Sequence, residues 1–227
     1  GFESILKDEG VDFAEGILNG IRARDPNSEA GKKLFTDAIG QVKAWTAEAE
    51  SRVDAGQFPP SPPNLAIFQA SAGQPTHLYN GLIHPLVPYA IKGAIWYQGE
   101  SNAGDAKAYR SFLTALMGDW REKFKNPELP FLVVQLPNFG QPVTKPVNSG
   151  WSDLREAQRL AVLGDKAAGL AVTIDAGEND DIHPPNKQIV GLRLARLARN
   201  LVYKQNVTPN GPIIRSATRS NRGIVMR

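Results

Sequence analysis

Midway along the chain stands the stretch Gly93-Ala94-Ile95-Trp96-Tyr97-Gln98-Gly99-Glu100-Ser101-Asn102. Its first half is apolar and rich in β-forming side chains, which predicts a buried strand. Its second half is polar, and apolar residues at helical spacing follow it at 109–120. This part of the sequence therefore predicts a strand, a polar turn and a helix in direct succession.

The same succession occurs twice more downstream. The apolar pattern predicts a second strand at 131–136 with a helix at 151–163, and a third strand at 170–174 with a helix that begins near Pro185. Continuous apolar strands that alternate with amphipathic helices indicate a parallel sheet covered on both faces. We therefore predict an α/β fold, a three-layer αβα sandwich. Since such sheets usually contain about five or six strands, we expect residues before Gly1 to complete the domain.

The segment that precedes the first strand has a different character. Apolar residues recur at helical spacing at about 33–53 and predict an amphipathic helix. It is followed by Pro59-Pro60-Ser61-Pro62-Pro63, which is too rich in proline for a helix or a central strand and predicts an extended surface linker. We assign residues 1–209 to one α/β domain with an insertion at about 32–76, and residues 210–227 to a tail or the start of a β-domain.

The composition excludes several classes of protein. Hydrophobic residues make up 41% of the chain and charged residues 22%, which is typical of a globular protein. The net charge of +3, from 26 basic and 23 acidic residues, gives no reason to expect a nucleic-acid partner. The chain has no apolar run near the ~20 residues of a membrane span. With no cysteine, it has neither disulfides nor a thiol nucleophile.

Ligands of parallel α/β sheets bind beyond the carboxyl ends of the strands, so the polar turn after the first strand is a candidate site. Ser101 or Asn102 would cap the following helix in any fold of this kind. Gln98 favours catalysis instead, because its side-chain amide can donate a hydrogen bond to an oxyanion that develops during a reaction. Gly99 beside it permits a close approach of the backbone.

The predicted third strand leads into Asp175-Ala176-Gly177-Glu178-Asn179-Asp180-Asp181-Ile182-His183-Pro184. A histidine that acts as a general base needs a carboxylate to fix its tautomer and to stabilise the imidazolium. Asp180, three residues before His183, can fold back to do this. The alternatives are a calcium-binding acidic loop or the entry to a helix with a surface histidine.

The polar residues at 77–84 are weaker candidates for a functional site. His77 and His84 lie in a mainly apolar segment and are interpreted as structural, and no spacing of histidines predicts a metal site. Asn80-Gly81 predicts a turn first, although the Asn80 amide is also a candidate substrate contact.

Three motifs together carry a resemblance to a known family: residues 78–83, 93–103 and 181–187. They resemble bacterial sialate O-acetylesterases and, more distantly, acetylxylan esterases of carbohydrate esterase family six, which are serine hydrolases of the SGNH class. The resemblance implies a flavodoxin-like fold and a nucleophilic serine in a Gly-Gln-Ser-Asn setting. This sequence lacks that motif, so the resemblance implies that the serine lies before Gly1.

The resemblance also implies the roles of individual residues. His183 corresponds to the general base, Gln98 to an oxyanion donor, and either Asp180 or Glu100 to the acid, with Asp181 as a third choice. The substrate would be an acetylated carbohydrate contacted at Asn80 and Gly99, and no metal or organic cofactor is expected. Export to the periplasm or out of the cell is implied as well.

Two other interpretations use the residues differently. Gly99-Glu100-Ser101-Asn102-Ala103 resembles a degenerate nucleophile elbow, and Ser101, Asp180 and His183 occur in the order found in α/β-hydrolases. Ala103 in place of a glycine, and an acid that shares a loop with His183, count against it. The chain is alternatively a non-catalytic module for carbohydrate binding or assembly.

Overall fold

The structure is a computed structural model that describes residues 19–65, 76–87, 89–212, 214, 216–221 and 223–226. The chain divides into two compact units, Gly1–Pro88 and Tyr89–Arg227. The assignment of residues 1–209 to a single domain stays a prediction. Among the described helices, none is long and apolar enough to cross a bilayer.

In the first unit, helix α1 (Glu29–Asp54) contains the predicted helix at 33–53. It begins earlier than the apolar pattern indicates because the Ser28 side chain accepts a hydrogen bond from Gly31 N at 2.9 Å. The proline-rich segment after it has no regular secondary structure, as predicted. Trp45 Nε1 donates to the Pro60 carbonyl at 2.9 Å, so this segment is held against the helix that precedes it.

The prediction of a turn at Asn80-Gly81 is wrong. Tyr79–Ile83 forms a π-helical turn, and His84–Leu86 continues it as one 3₁₀ turn. The main-chain nitrogen of Asn80 donates to the Thr76 carbonyl at 2.8 Å, which is the four-residue spacing of a helix. Helical hydrogen bonds on either side therefore override the turn preference of the Asn-Gly pair.

The second unit is built on a parallel sheet of three strands, β1 (Ala94–Trp96), β2 (Phe131–Val134) and β3 (Ala168–Ala171), in the order β1-β2-β3. Phe131 lies opposite Ala94 on one side and Ala168 on the other. Helix α2 (Ala106–Lys123) joins the first two strands, helix α3 (Gly150–Leu163) joins the next two, and helix α4 (Gln188–Leu197) follows the third.

Helices pack on both faces of the sheet, but on the face of α4 they cover β2 and β3 and leave Ile95 of β1 exposed. Phe131 and Val133 point to the face where α2 and α3 pack, and they share a buried core with residues such as Leu113 and Leu154. Leu132 points the other way and packs with Leu197 of α4. Alternation along β2 thus separates two apolar layers, and the predicted α/β sandwich with a parallel sheet is confirmed.

Several predicted boundaries differ from the structure. Strand β2 ends at Val134, not at residue 136, and β3 begins at Ala168, not at residue 170. Two further differences affect the loop that carries His183. The ladder of β3 ends at Ala171, not at residue 174, because the Thr173 hydroxyl bonds the Gln135 carbonyl as the chain leaves the sheet. Helix α4 begins at Gln188, not near Pro185, since the Asn186 side chain accepts a hydrogen bond from Gln188 N at 3.1 Å. Both changes lengthen the loop that carries His183.

Beyond α4, the chain makes a π-helical turn at Ala198–Val202. Strands β4 (Ala217–Ser220) and β5 (Gly223–Met226) then form an antiparallel hairpin whose residues are exposed. The start of a further β-domain at 210–227 stays a prediction.

Candidate active site

The three strands are parallel, so the loops that follow them lie along one edge of the sheet. Two buried or half-buried amides bind these loops together. Gln158 of α3 is fully buried, and its Nε2 donates to the Gln98 carbonyl at 3.1 Å while its Oε1 accepts from Leu136 N at 2.9 Å. Asn138 Oδ1 accepts from Gly177 N at 2.8 Å. The loop after β2 is thereby bonded to the loops after both other strands.

Gln98 is the second residue after β1, and both ends of its side-chain amide have partners. Its Nε2 donates to Asn102 Oδ1 at 2.8 Å. The Tyr109 hydroxyl of α2 lies 2.9 Å from the Gln98 carbonyl oxygen and 3.1 Å from Oε1, and its single proton is shared between these two acceptors. A primary amide has two N–H groups, and one of them is used by Asn102. The other is a donor that a ligand at this edge can use.

Gly99 is buried and has φ 146°, a conformation that disfavours any residue with a side chain. A Cβ atom here would lie 2.6 Å from Leu154 Cδ2 and 3.4 Å from the Tyr109 hydroxyl. The close approach expected at this glycine is therefore an approach to α2 and α3. A contact between Gly99 and a substrate stays a prediction.

His183 is exposed on the loop between β3 and α4. The next residue, Pro184, is fully buried and anchors the loop. The Asp181 carboxylate accepts a hydrogen bond from the main-chain nitrogen of His183 at 2.8 Å, which fixes the backbone at that point. Within the described residues, no group makes a hydrogen bond or an ion pair with the imidazole itself.

The four carboxylates of this loop differ in their surroundings. Arg193 of α4 holds Asp175 in a bidentate pair at 2.6 and 2.7 Å, and the hydrogen bonds from that guanidinium are the main cause that lowers the pKa of Asp175. Asp181 is bonded to the backbone of its own loop. Glu178 and Asp180 are exposed. Of these four, Asp180 is the exposed carboxylate nearest to His183 that is not committed to shaping the loop.

The other candidate acid, Glu100, is the first residue of a 3₁₀ helix, Glu100–Asp105. Burial raises the pKa of Tyr97, and the negative charge of Glu100 raises it further. Lys187, four residues after His183, places its Nζ 5.0 Å from the centre of the Tyr97 ring. This contact brings the histidine loop next to the turn that bears Gln98 and Glu100.

Ser101 does not have the geometry of a nucleophile elbow. It is exposed within the 3₁₀ helix, and it is not among the described residues with positive φ. An elbow serine sits on a sharp, strained turn between a strand and a helix. In this turn the residue with positive φ is Gly99, two positions before Ser101.

Asn80 belongs to the first unit, where its Nδ2 lies 3.4 Å from the Thr76 hydroxyl. Its proposed contact with substrate stays a prediction. In the part of the chain that the structure describes, no group of three or more His, Asp or Glu side chains is arranged to hold a metal ion.

Two residues that support Gln98 were not predicted from the sequence. Gln158 lies on the apolar stripe of α3 between Leu154 and Ala161, which are both buried. A polar residue on such a stripe is a signal of a buried hydrogen-bond partner. The apolar pattern places Tyr109 on the inner face of its helix, but nothing in the sequence shows where its hydroxyl points.

The chain is similar to known carbohydrate esterases. Residues 66–200 match the family of carbohydrate esterases described as sialic acid-specific acetylesterases. Sialate O-acetylesterase of Homo sapiens is 35% identical over 154 residues, which cover 60% of this chain and 29% of that protein. The enzyme of the same name from Rattus norvegicus is 33% identical over 162 residues, 63% of this chain and 30% of that protein.

A solved structure is similar as well. The crystal structure of a carbohydrate acetylesterase from Xanthomonas citri matches with a TM-score of 0.57 and 45% identity, over 62% of this chain and 33% of that one. The chain thus spans about a third or less of the length of these relatives. The matched residues include both the Gln98 turn and the His183 loop, and the chain belongs to the carbohydrate esterase family of sialic acid-specific acetylesterases.

Proposed function

We propose that this chain forms part of the active site of a carbohydrate O-acetylesterase, with His183 as the general base and Gln98 as an oxyanion donor. The proposal rests on one observation: the two loops that carry Gln98 and His183 are in contact. The turn with Gln98 and the loop with His183 leave the same edge of the sheet, and Lys187 of one lies 5.0 Å from the Tyr97 ring of the other. The proposed substrate is an acetylated sugar, such as an acetylated sialic acid.

In the first step, a serine hydroxyl attacks the acetyl carbonyl and His183 takes its proton. The carbonyl oxygen becomes an oxyanion, to which the second N–H of the Gln98 amide donates. The tetrahedral intermediate then expels the sugar oxygen, which receives the proton from His183. The acetyl group stays on the serine.

In the second step, His183 takes a proton from water as the water attacks the acetyl-serine ester. The collapse of this intermediate returns the proton to the serine oxygen and releases acetate. The products are the free sugar and acetate, and neither step requires a metal or an organic cofactor. The family resemblance supports a serine outside the residues of this chain, and it supports export to the periplasm or out of the cell.

For the carboxylate partner of His183 we propose Asp180, with Glu100 as the alternative. Asp175 is paired with Arg193, and Asp181 accepts from the backbone of the loop. Asp180 is exposed and lies three residues before the histidine, and in the proposed mechanism its carboxylate accepts a hydrogen bond from Nδ1 of His183. Glu100 lies on the neighbouring turn, close enough to Tyr97 for its charge to raise the pKa of that tyrosine.

Replacement of His183 tests the proposal. In the full-length protein, His183→Ala is expected to lower kcat for p-nitrophenyl acetate by about 10²–10⁴-fold, since general-base catalysis contributes on that scale. His77→Ala is the matched control, because His77 is also exposed but lies in the other unit. It should leave the rate unchanged. An unchanged rate for His183→Ala would reject the proposed function.

The same assay separates the two acids. Asp180→Asn removes the charge without removing the side chain, and we expect it to lower kcat by about 10²-fold or more. Glu100→Gln is expected to have a much smaller effect. The reverse order of the two losses would transfer the role to Glu100.

A further inference from the structure

We propose that Tyr109 is a positioning residue that holds the Gln98 side-chain amide with its N–H groups turned toward the acetyl oxygen of the substrate. The inference rests on the proposed function, because it assumes that Gln98 is the oxyanion donor. Tyr109 lies on α2 and is 3% exposed. Its ring fills the core between the sheet and α3, and its hydroxyl reaches past the end of β1 to Gln98.

Trp96 sets the direction of these hydrogen bonds. The Trp96 Nε1 atom lies 3.2 Å from the Tyr109 hydroxyl oxygen. An indole N–H can only donate, so the tyrosine oxygen accepts there. The hydroxyl proton is then available for Gln98, whose carbonyl oxygen and Oε1 lie 2.9 and 3.1 Å away. The hydroxyl therefore favours the amide orientation in which Oε1, and not the NH₂ group, faces the core.

The remaining contacts of Gln98 agree with this orientation. Its main-chain oxygen also receives Gln158 Nε2 at 3.1 Å, so it does not depend on Tyr109. Its Nε2 donates to Asn102 Oδ1 at 2.8 Å. If the amide were rotated by half a turn, its NH₂ group would face a hydroxyl oxygen that already accepts hydrogen bonds from Trp96 and Gln158. The hydroxyl thus acts on the side-chain amide, which is the group that the proposed reaction uses.

Tyr109 keeps its proton under ordinary conditions. Burial is the largest influence on its pKa and raises it above the usual value near 10. The phenol is therefore a neutral donor at the pH of an esterase assay. A hydrogen bond to Gln98 Oε1 also polarises the amide and strengthens its N–H groups as donors.

Removal of the hydroxyl tests the inference. In the full-length protein, Tyr109→Phe keeps the ring in the core and deletes the donor. We expect kcat for p-nitrophenyl acetate to fall about 10-fold with KM changed less than about 2-fold, because the loss affects a transition-state interaction. Gln98→Ala should lower kcat by about 10²-fold. The double variant Gln98→Ala/Tyr109→Phe should be no slower than Gln98→Ala, because the tyrosine acts through the glutamine.

Ser111→Ala is the matched control, since it removes another buried hydroxyl from the same helix. It should leave kcat unchanged. A loss of thermal stability in Tyr109→Phe with an unchanged kcat would overturn the inference, as would further slowing in the double variant. If Gln98→Ala has the wild-type rate, the role of Gln98 in the proposed function fails instead.

A second variant keeps the test independent of Tyr109. Trp96→Phe removes the N–H that directs the tyrosine hydroxyl. It is expected to lower kcat by a smaller factor than Tyr109→Phe, and this loss should vanish in the Gln98→Ala background. A loss of the same size in both backgrounds would contradict the proposed chain of hydrogen bonds.

Discussion

At Gly99 the chain makes the turn that presents Gln98. The φ angle of 146° is one reason for glycine at this position, and the 2.6 Å that would separate a Cβ atom from Leu154 Cδ2 is a second, independent one. Tyr109 and Gln158, which lie beside Leu154 under this glycine, hold the same turn through hydrogen bonds to Gln98. The position of the Gln98 amide therefore depends on packing beneath it as well as on the residue itself.

Gly99→Ala is expected to destabilise the protein by about 2–4 kcal/mol, because it adds backbone strain to a collision in the core. The free energy of unfolding in urea measures this effect. Gly104→Ala is the matched control, since Gly104 lies in the following 3₁₀ helix, where an added Cβ would meet no heavy atom within 4 Å. It should change the stability by less than about 0.5 kcal/mol. Equal losses in the two variants would contradict this account of Gly99.

Some residues of the candidate site can be identified from the sequence, and others cannot. Gln98 and His183 can be identified because they are chemically suited residues at predicted strand ends. Their supporting contacts, Gln158 and Asn138, cannot, because each bond joins residues far apart in the chain. Such bonds depend on which loops are neighbours. That depends on the order of the strands in the sheet, which the local sequence pattern does not reveal.

Among the elements, the predicted strands and helices were correct in type and order, since each has a continuous apolar run or a helical stripe. The errors lie at the ends of strands and helices, because polar side chains that do not belong to the apolar pattern determine where these elements stop or start. The Thr173 hydroxyl turns the chain away from the sheet after β3. Asn186 delays the start of α4, where Pro185 alone indicated an earlier start.

Helix α4 is joined to the end of β3 through Arg193, which binds both Asp175 and the Val172 carbonyl. The pair lowers the pKa of Asp175 in the folded state. Its contribution to stability is therefore present above the pKa of an unfolded aspartate, about 3.9, and is lost as pH falls through the lower folded value. The bond to Val172 is independent of pH in this range.

Arg193→Met should therefore destabilise the protein more at about pH 7 than at about pH 3. Unfolding in urea at both pH values gives the difference between wild type and variant. High salt should reduce the pH-dependent part, because both side chains are partly exposed. Arg196→Met, at an exposed arginine of the same helix, is the control. If the loss from Arg193→Met were the same at both pH values, the ion pair would have no measurable role.

At the scale of the whole molecule, the chain matches only part of the length of its relatives. It covers 29% of human sialate O-acetylesterase and 33% of the Xanthomonas citri enzyme. The α/β sandwich was predictable because alternating strands and helices leave few arrangements. That the Gln98 turn and the His183 loop lie at the same edge of the sheet followed from that arrangement. Their contact through Lys187 and Tyr97, and the position of His183 relative to its acid, did not.

The proposed mechanism predicts where a serine-directed inhibitor reacts. A fluorophosphonate probe should label the full-length protein on a serine outside Gly1–Arg227, because Ser101 lacks the strained backbone of a nucleophile elbow. His183→Ala should abolish labelling, since the serine then loses the base that takes its proton. Ser101→Ala should leave labelling intact, and mass spectrometry of the labelled peptide identifies the site. A label on Ser101 would instead establish the elbow mechanism, with nucleophile and base both in this chain.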